Sequence, residues 1–374
     1  MDFGLSEQQR SMQESLRRYL QQAAGLEQLR TAVAAGPAHD AHLWQGLAEM
    51  GLTGLLVPQA YGGLGLPLLD AVLVQELLGE FAVPVSFTAS AILAPLALTL
   101  AGSDAQKDKW LPPLVEGSLQ VAVCLAEAAG CRENTGVIAV NDKLNGRLMF
   151  ALGAADAELL ICSCREGDLY LVHRDASGLE WTPLRSIDDT RSVWEINLRD
   201  VAAELLLPEE GDALAPLTAA GRIALAADTL GAAQSMLDKA VAYACERQQF
   251  NRVIGSFQAV KHMCAEMAAE LEPCRALLWY AAHAYDTVPA ERILLACHAK
   301  AHLSEVGTAV ARTATEVHGG MGFTDLLGLH YWFKRIGFNR QVLGSPERLR
   351  AQAARVQGWG VQADRLMEQG GGYR

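Results

Sequence analysis

The sequence predicts an α+β protein in which helical regions at both ends flank a middle region of antiparallel strands. Apolar residues recur at helical spacing up to about residue 119. Short apolar runs separated by Gly, Asp and Asn follow over 120–207, and helical spacing returns over 208–374. Without alternating βαβ units, we expect three domains. They are an N-terminal helical domain (1–119), a middle antiparallel β domain (120–207) and a C-terminal four-helix bundle (208–374).

Composition narrows the class of protein. The chain has 374 residues, of which 51% are hydrophobic, and a formal net charge of −12. This composition supports a large core, and the acidic charge argues against nucleic-acid or anionic-membrane partners. No apolar run is long enough to span a bilayer, and no signal peptide is recognisable, so we expect a cytoplasmic protein. Eight cysteines lack zinc-site spacing, so no metal site is expected.

The N-terminal elements follow from caps and periodicity. Ser6 and Gln9 form a capping-box pattern at the start of the first helix. A second helix is expected to end at Gly51, followed by a glycine-rich turn over 61–65. Helical spacing then covers 68–81, 86–100 and 105–115.

The middle strands are predicted from short apolar runs bounded by turn residues. These runs are 121–125, 136–140, 159–162, 169–172 and 193–198. Three long helices are then expected. They contain Ile223–Val241, Phe257–Leu271 and Ala290–His318, and the last is rich in alanine.

Two segments carry chemical information. Arg247 follows the first long helix, Phe250 lies in the next loop, and Ser256 can cap the helix that contains Gln258. A guanidinium and an amide beside one loop suit an anionic ligand, although a surface ion pair is the simpler interpretation. The second segment runs from Glu316 to Thr324 and contains three glycines that could bring backbone amides to a ligand or simply end a helix.

Together with the Val57–Gly65 turn, these segments resemble the acyl-CoA dehydrogenase family. The family has a Pro-x-x-Tyr-Gly-Gly-x-Gly turn, an Arg-x-x-Phe-Gly loop with a downstream Gln, and a Gln-x-x-Gly-Gly-x-Gly motif, in that order. The segment Ile187–Arg191 and the run 318–331 are similar to a bacterial branch. Members of that branch act on bulky acyl-CoAs such as steroid side chains, often as α2β2 hetero-oligomers.

The resemblance implies an FAD-dependent desaturation with electron-transfer flavoprotein as electron acceptor. A glutamate removes the α-proton of an acyl-CoA thioester while FAD takes the hydride from Cβ. The implied cofactor-binding residues are Arg247, Phe250, Gln258, Glu316, Gly319, Gly320, Ser345 and Glu347. Glu316 replaces the usual glutamine, and Glu347 is expected to contact flavin rather than act as a base.

The sequence departs from the family where the chemistry occurs. The family places its glutamate at one of two positions, which here are Leu343 and Gly221. In the segment that cradles the flavin ring, Ala126 and Arg132 replace a threonine and a serine. The family's flavin-packing Trp-x-Thr is replaced by residues 148–150. No catalytic residue is therefore predicted in this chain.

The hypothesis that follows is a non-catalytic subunit of a heteromeric acyl-CoA dehydrogenase. It would hold the ADP end of an FAD whose ring and base belong to a glutamate-bearing partner. One alternative is a self-sufficient homo-oligomer that uses another carboxylate, such as Glu76 or Glu80. A second alternative is a flavin-free relative that binds acyl-CoA or acts as a scaffold.

Overall fold

The computed structural model describes residues 4–36, 40–125, 136–141, 143–208 and 211–359. Helices, then strands, then helices follow one another along the chain, as the sequence predicts. The predicted domain limits at 119 and 207 stay a prediction. They fall in the connections between the last N-terminal helix and the sheet, and between the sheet and the first long C-terminal helix. Among the described helices, none has both the length and the apolar character needed to cross a bilayer.

The described residues of the N-terminal part form six α-helices. They are α1 (Glu7–Ala23), α2 (Leu26–Ala34), α3 (Ala41–Glu49), α4 (Leu68–Glu80), α5 (Ala94–Ala101) and α6 (Asp104–Val115). The capping box is present, because Gln9 N donates to Ser6 Oγ and Ser6 N donates to Gln9 Oε1. A π-helical segment, Thr88–Leu93, leads into α5, whereas the sequence predicts one continuous helix. Helix α2 was not predicted.

The middle part is an eight-stranded sheet. Its strands are β1 (Val121–Cys124), β2 (Gly136–Val140), β3 (Lys143–Leu152), β4 (Leu159–Ser163), β5 (Leu169–His173), β6 (Leu179–Pro183), β7 (Val193–Ala202) and β8 (Glu204–Leu206). The strand order is β6-β7-β3-β1-β4-β5-β8, with β2 paired to β3. The described strand pairs of this sheet are antiparallel, except that β1 and β4 are parallel. The sequence did not predict this parallel pair. A register shift between Leu148 and Ala151 gives Phe150 a left-handed backbone, with φ of 63°.

The C-terminal part is a helical bundle. Its helices are α7 (Leu214–Glu246), α8 (Gln258–Thr287), α9 (Arg292–His318), α10 (Leu329–Gln341) and α11 (Pro346–Val356). A short hairpin of β9 (Gln248–Gln249) and β10 (Arg252–Val253) joins α7 to α8. Helix α7 packs on α8, α9 and α10, and it also packs on α4 of the N-terminal part. Helix α7 therefore forms the centre of the molecule.

Two glycines permit the close crossing of α4 and α7. A Cβ atom added at Gly231 would lie 1.8 Å from the backbone oxygen of Glu76. A Cβ atom added at Gly79 would lie 2.2 Å from the backbone oxygen of Asp228. Each glycine thus lets the backbone of one helix touch the other, which explains why both helices are buried over most of their surface.

Candidate functional site

The arginine loop and the glycine motif lie at the same end of the helical bundle. Tyr243, in the last turn of α7, stacks on His318 at the end of α9, with ring centroids 4.6 Å apart. His318 Nδ1 is also 2.7 Å from the backbone oxygen of Ala314, which fixes the ring against its own helix. Two segments that are about 70 residues apart in sequence are therefore neighbours in space.

The arginine loop is a tight β-hairpin. Its turn residues Phe250 and Asn251 have φ angles of 53° and 62°, as two-residue hairpin turns require. Arg247 ends α7, and its backbone oxygen accepts a hydrogen bond from Ile254 N at 2.8 Å. The Arg247 side chain is exposed, and Phe250 is 87% exposed. The hairpin thus displays a cation and an aromatic ring on the surface of the chain.

Helix α8 begins differently from the prediction. Ser256 does not cap it, because its Oγ donates to the backbone oxygen of Val253 at 2.7 Å within a short 3₁₀ turn. Phe257 occupies the N-cap position without a side-chain hydrogen bond, and Gln258 is the exposed first residue of the helix. Gln258 therefore follows the arginine loop directly and has an exposed side chain at the start of α8.

The glycine motif presents backbone to solvent. Gly319 has φ of 59° and ψ of −141°, a conformation that essentially only glycine adopts. Gly320 is also exposed, and a Cβ atom at either glycine would meet nothing within 4 Å. Glu316 is exposed one turn earlier, and Phe323 is 84% exposed just after the motif. Open backbone beside an exposed Arg247 suits a large anionic ligand.

A second feature is a cavity of about 600 Å³ between the sheet and the bundle. Its walls come from β1, β3, the segment that joins β6 to β7, α10 and the segment that joins α10 to α11. The lining residues are Leu93, Val123, Leu125, Met149, Phe150, Leu152, Leu184, Arg185, Ser186, Ile187, Val193, Gly337, Phe338, Gln341, Val342, Leu343, Gly344, Ser345 and Arg348. Among these lining residues there is no Asp or Glu, so the described walls offer no carboxylate base.

The two positions that could carry a glutamate meet at this cavity. A Cβ atom added at Gly221 would lie 2.6 Å from Leu343 Cδ1 and 3.4 Å from Leu93 Cδ2. Leu343 is only 7% exposed and has a left-handed backbone, with φ of 57°. The Leu343 side chain therefore occupies the space next to Gly221, where neither residue can accept a proton.

Two buried cations hold the segment that carries Leu343. Arg222 Nε donates to the Leu343 backbone oxygen at 2.9 Å. Lys300 Nζ donates to the backbone oxygens of Asn339 at 2.7 Å and Gly344 at 3.1 Å. Burial, with Arg222 and Arg340 nearby, lowers the pKa of Lys300 to about 7. Lys300 was not predicted as a site residue. The sequence indicates it only as a charged residue within an alanine-rich helix.

The last two predicted cofactor residues begin α11. Ser345 lines the cavity and occupies the N-cap position of that helix. Glu347 is exposed and pairs with Arg340, whose Nη2 donates to Glu347 Oε1 at 3.1 Å. Hydrogen bonds from its own backbone amide and from Ser345 lower the pKa of Glu347. Glu347 is thus outside the cavity lining and is a weaker base than an ordinary glutamate.

The alternative bases Glu76 and Glu80 do not line the cavity either, and both are ion-paired. Glu76 forms an ion pair with Arg275, and Trp279 Nε1 donates to its Oε2 at 3.3 Å. Glu80 forms a two-pronged ion pair with Arg17. Both carboxylates connect α4 to neighbouring helices.

Within the segment 148–150, Met149 and Phe150 line the cavity. Ala126 and Arg132 lie outside the described residues. The cavity wall formed by residues 184–187 was not predicted. The sequence signal for it is the adjoining Ile187–Arg191 motif, which indicated only a resemblance to the bacterial branch of the family.

The chain has a helical part, a β part and a second helical part, with a cavity between the sheet and the bundle. This arrangement is that of the acyl-CoA dehydrogenase fold. The acyl-CoA dehydrogenase N-terminal domain matches residues 6–118, and the C-terminal domain matches residues 214–358. The chain therefore belongs to the acyl-CoA dehydrogenase family, whose members are flavoproteins and oxidoreductases that act on the CH–CH bond of acyl-CoAs.

Relatives are similar along nearly their whole length. Acyl-CoA dehydrogenase IpdE2 of Mycolicibacterium smegmatis is 30% identical, over 94% of this chain and 100% of its own. IpdE2 of Mycobacterium tuberculosis is also 30% identical, over 92% of this chain and 95% of its own. A solved structure, the Tcur3481-Tcur3483 steroid ACAD G363A variant, is 29% identical with a TM-score of 0.88 and covers 95% of this chain and 99% of that chain.

Proposed function

We propose that this chain is the subunit without a catalytic base in a heteromeric, FAD-dependent acyl-CoA dehydrogenase that acts on a bulky, steroid-like acyl-CoA. The observation that carries this proposal is the contact between Gly221 and Leu343 in a cavity whose described walls contain no carboxylate. An α-proton of a thioester is weakly acidic, so its removal requires a positioned base. The partner subunit supplies that base.

The described residues fit the ADP end of FAD. Exposed Arg247 supplies a positive charge, Gln258 supplies an amide at the start of α8, and the open backbone at Gly319 and Gly320 admits a diphosphate. Glu316 is exposed one turn before these glycines, so its carboxylate is free to turn toward solvent and away from the phosphates. FAD, when bound, accepts the hydride that leaves Cβ of the acyl group.

A partner interface at this site also explains the exposed aromatic rings. Phe250 and Phe323 are more than four-fifths exposed in the single chain, which is unusual for large apolar side chains. A partner subunit that covers both rings removes this surface from water. We expect the assembly to be α2β2, with electron-transfer flavoprotein as electron acceptor.

The comparisons support the substrate class. The relative of known structure at 29% identity is a steroid ACAD whose name joins Tcur3481 and Tcur3483. The cavity is large and mainly apolar, which suits a fused-ring acyl group.

The test is to express the chain alone and together with a glutamate-bearing family member, and then to measure flavin per chain and turnover of a steroid side-chain acyl-CoA. We expect a colourless, inactive chain alone and a yellow, active complex with one FAD per pair of unlike chains. Full dehydrogenase activity from this chain alone would contradict the proposal. A co-purified complex without flavin would instead favour the flavin-free scaffold.

A further inference from the structure

A buried cluster of charges connects the cavity wall to three other parts of the molecule. We call it the Asp228 junction; it consists of Asp188, Arg191, Asp228, Arg335 and Asn339. The side chains of Asp188 and Asp228 are 0% exposed, that of Arg335 is 2% exposed and that of Arg191 is 10% exposed. Two arginines and two aspartates leave the junction neutral, as a buried ionic cluster requires.

Asp228, on α7, is the centre of the junction. Arg335 on α10 donates to both of its oxygens, at 2.9 and 2.7 Å. Asn339 Nδ2 donates to Oδ1 at 2.7 Å, and Gln75 Nε2 on α4 donates to Oδ2 at 2.7 Å. The nearby Arg191 and Arg335 outweigh burial and lower the pKa of Asp228 well below its usual range. The carboxylate is therefore charged at neutral pH.

Arg191 brings the segment between β6 and β7 into the junction. Its Nη2 lies 2.7 Å from Asp228 Oδ1, and its Nε lies 3.5 Å from Asp188 Oδ2. Asp188 in turn holds the segment in a turn, because Thr190 N and Oγ1 donate to its Oδ1 at 2.9 and 2.6 Å. Arg335 Nη1 also donates to Thr190 Oγ1 at 3.0 Å. The segment is thus fastened to both α7 and α10.

The same segment forms one wall of the cavity. Residues 184–187 line it directly, and Ile187 is adjacent in sequence to Asp188. Arg191 also lies beside another wall, since its guanidinium is 5.7 Å from the ring centroid of cavity-lining Phe338. On α10, Arg335 and Asn339 point into the junction while Gly337 and Phe338 line the cavity. The junction therefore sets the relative position of two cavity walls.

We propose that Arg191 is a positioning residue that fixes the width of the cavity and thereby determines which acyl groups the cavity of this chain can hold. The selectivity part rests on the proposed function. Without Arg191, the wall over 184–187 loses its connection to α7, while α10 keeps its own through Arg335. The cavity then no longer discriminates by the shape of the acyl group, because a mobile wall adapts to small and large groups alike.

The test compares two charge-neutral double variants. D188N/R191M removes both ion pairs of Arg191, with Asp188 and with Asp228, and leaves Asp228 paired with Arg335. D189N/K334M is the matched control, because Lys334 Nζ and Asp189 Oδ2 form a more exposed 2.7 Å ion pair between the same segment and α10. Hydrogen exchange of the segment is measured on the chain as it purifies, alone or in its complex. The ratio of the Kd values of a fused-ring and a short straight-chain acyl-CoA for this chain is measured on the same preparation.

We expect amide exchange over 184–187 to accelerate by about tenfold or more in D188N/R191M and to change little in the control. The preference of this chain for the fused-ring acyl-CoA, measured as the Kd ratio, should fall by about tenfold. Unchanged exchange over 184–187 would overturn the proposal, and so would an unchanged Kd ratio. If the unmodified complex has no dehydrogenase activity, the proposed function fails, and the exchange and Kd results still decide the positioning role.

Discussion

Gly221 and Leu343, which are 122 positions apart in sequence, occupy one shared space at the cavity, where a Cβ atom on Gly221 would lie 2.6 Å from Leu343 Cδ1. The two family positions for a catalytic glutamate are therefore alternatives in space as well as in sequence. An acid at one position needs a small neighbour at the other. In this chain the small residue is Gly221, and its neighbour Leu343 is apolar.

Restoring an acid at position 221 should require removal of Leu343. Gly221→Glu should lower the free energy of unfolding by about 2 kcal/mol or more, because the side chain overlaps Leu343 and buries a carboxyl group. In G221E/L343A part of this loss should return, with a favourable coupling energy of about 1 kcal/mol or more. Urea unfolding of the two single variants and the double variant gives the coupling. A coupling energy near zero would show that the two side chains do not share this space.

Arg247 should matter for flavin retention and not for folding. A hydrogen bond to a charged group contributes about 1.5–3 kcal/mol, so Arg247→Ala should weaken FAD binding in the complex by about 10- to 150-fold. Flavin per complex is measured after gel filtration, with melting temperature as a check on folding. Arg350→Ala is the control, because Arg350 is exposed and pairs with Glu305 on α9. Equal flavin content in the two variants would remove Arg247 from the cofactor site.

The crossing of α4 and α7 should not tolerate a methyl group. Gly231→Ala should destabilise the chain by about 3 kcal/mol or more, because the added Cβ would lie 1.8 Å from backbone that cannot move alone. Gly337→Ala is the matched control, since a Cβ there meets nothing within 4 Å and alanine favours a helix by up to about 1 kcal/mol. Chemical denaturation of both variants measures the difference. Similar midpoints would mean that the two helices are farther apart than described.

Much of the fold could be predicted from local signals. The capping box at Ser6 and the helical spacing predicted α1, and turn residues marked five of the eight strands of the main sheet. Strand β3 was missed because Gly146 and a register shift interrupt its alternation. Helix α2 was missed because it is short and buries little besides Leu29.

The site was only partly predictable for a different reason. Arg247 and Gly319 could be found because each lies in a compact motif. The Asp228 junction could not, because its members come from α7, α10 and the segment before β7. No single stretch of sequence shows that Asp228 and Arg191 are 2.7 Å apart. Contacts of this kind depend on how the domains pack, which local periodicity does not encode.

The junction should also make stability depend on acid pH. Because its partners lower the pKa of Asp228 below the ordinary value of 3.8, its contribution to stability is complete above about pH 4 and declines as the pH falls below that value. The neutral double variant D228N/R191M, which keeps Asp188 and Arg335, should therefore be less stable at pH 7. Its unfolding free energy should also fall less steeply on acidification. Urea unfolding between pH 7 and pH 3 gives both slopes, and parallel slopes would contradict a charged Asp228.

The absence of a base in this chain is tested most directly in the assembled complex. The catalytic glutamate of the partner subunit is replaced by glutamine, this chain is left unchanged, and turnover of the acyl-CoA is measured at full flavin occupancy. Loss of essentially all turnover is the predicted result, because the described cavity of this chain contains no carboxylate that could remove the α-proton. Turnover that remains at about half of the original rate would show that this chain has a working base of its own, and it would contradict the account.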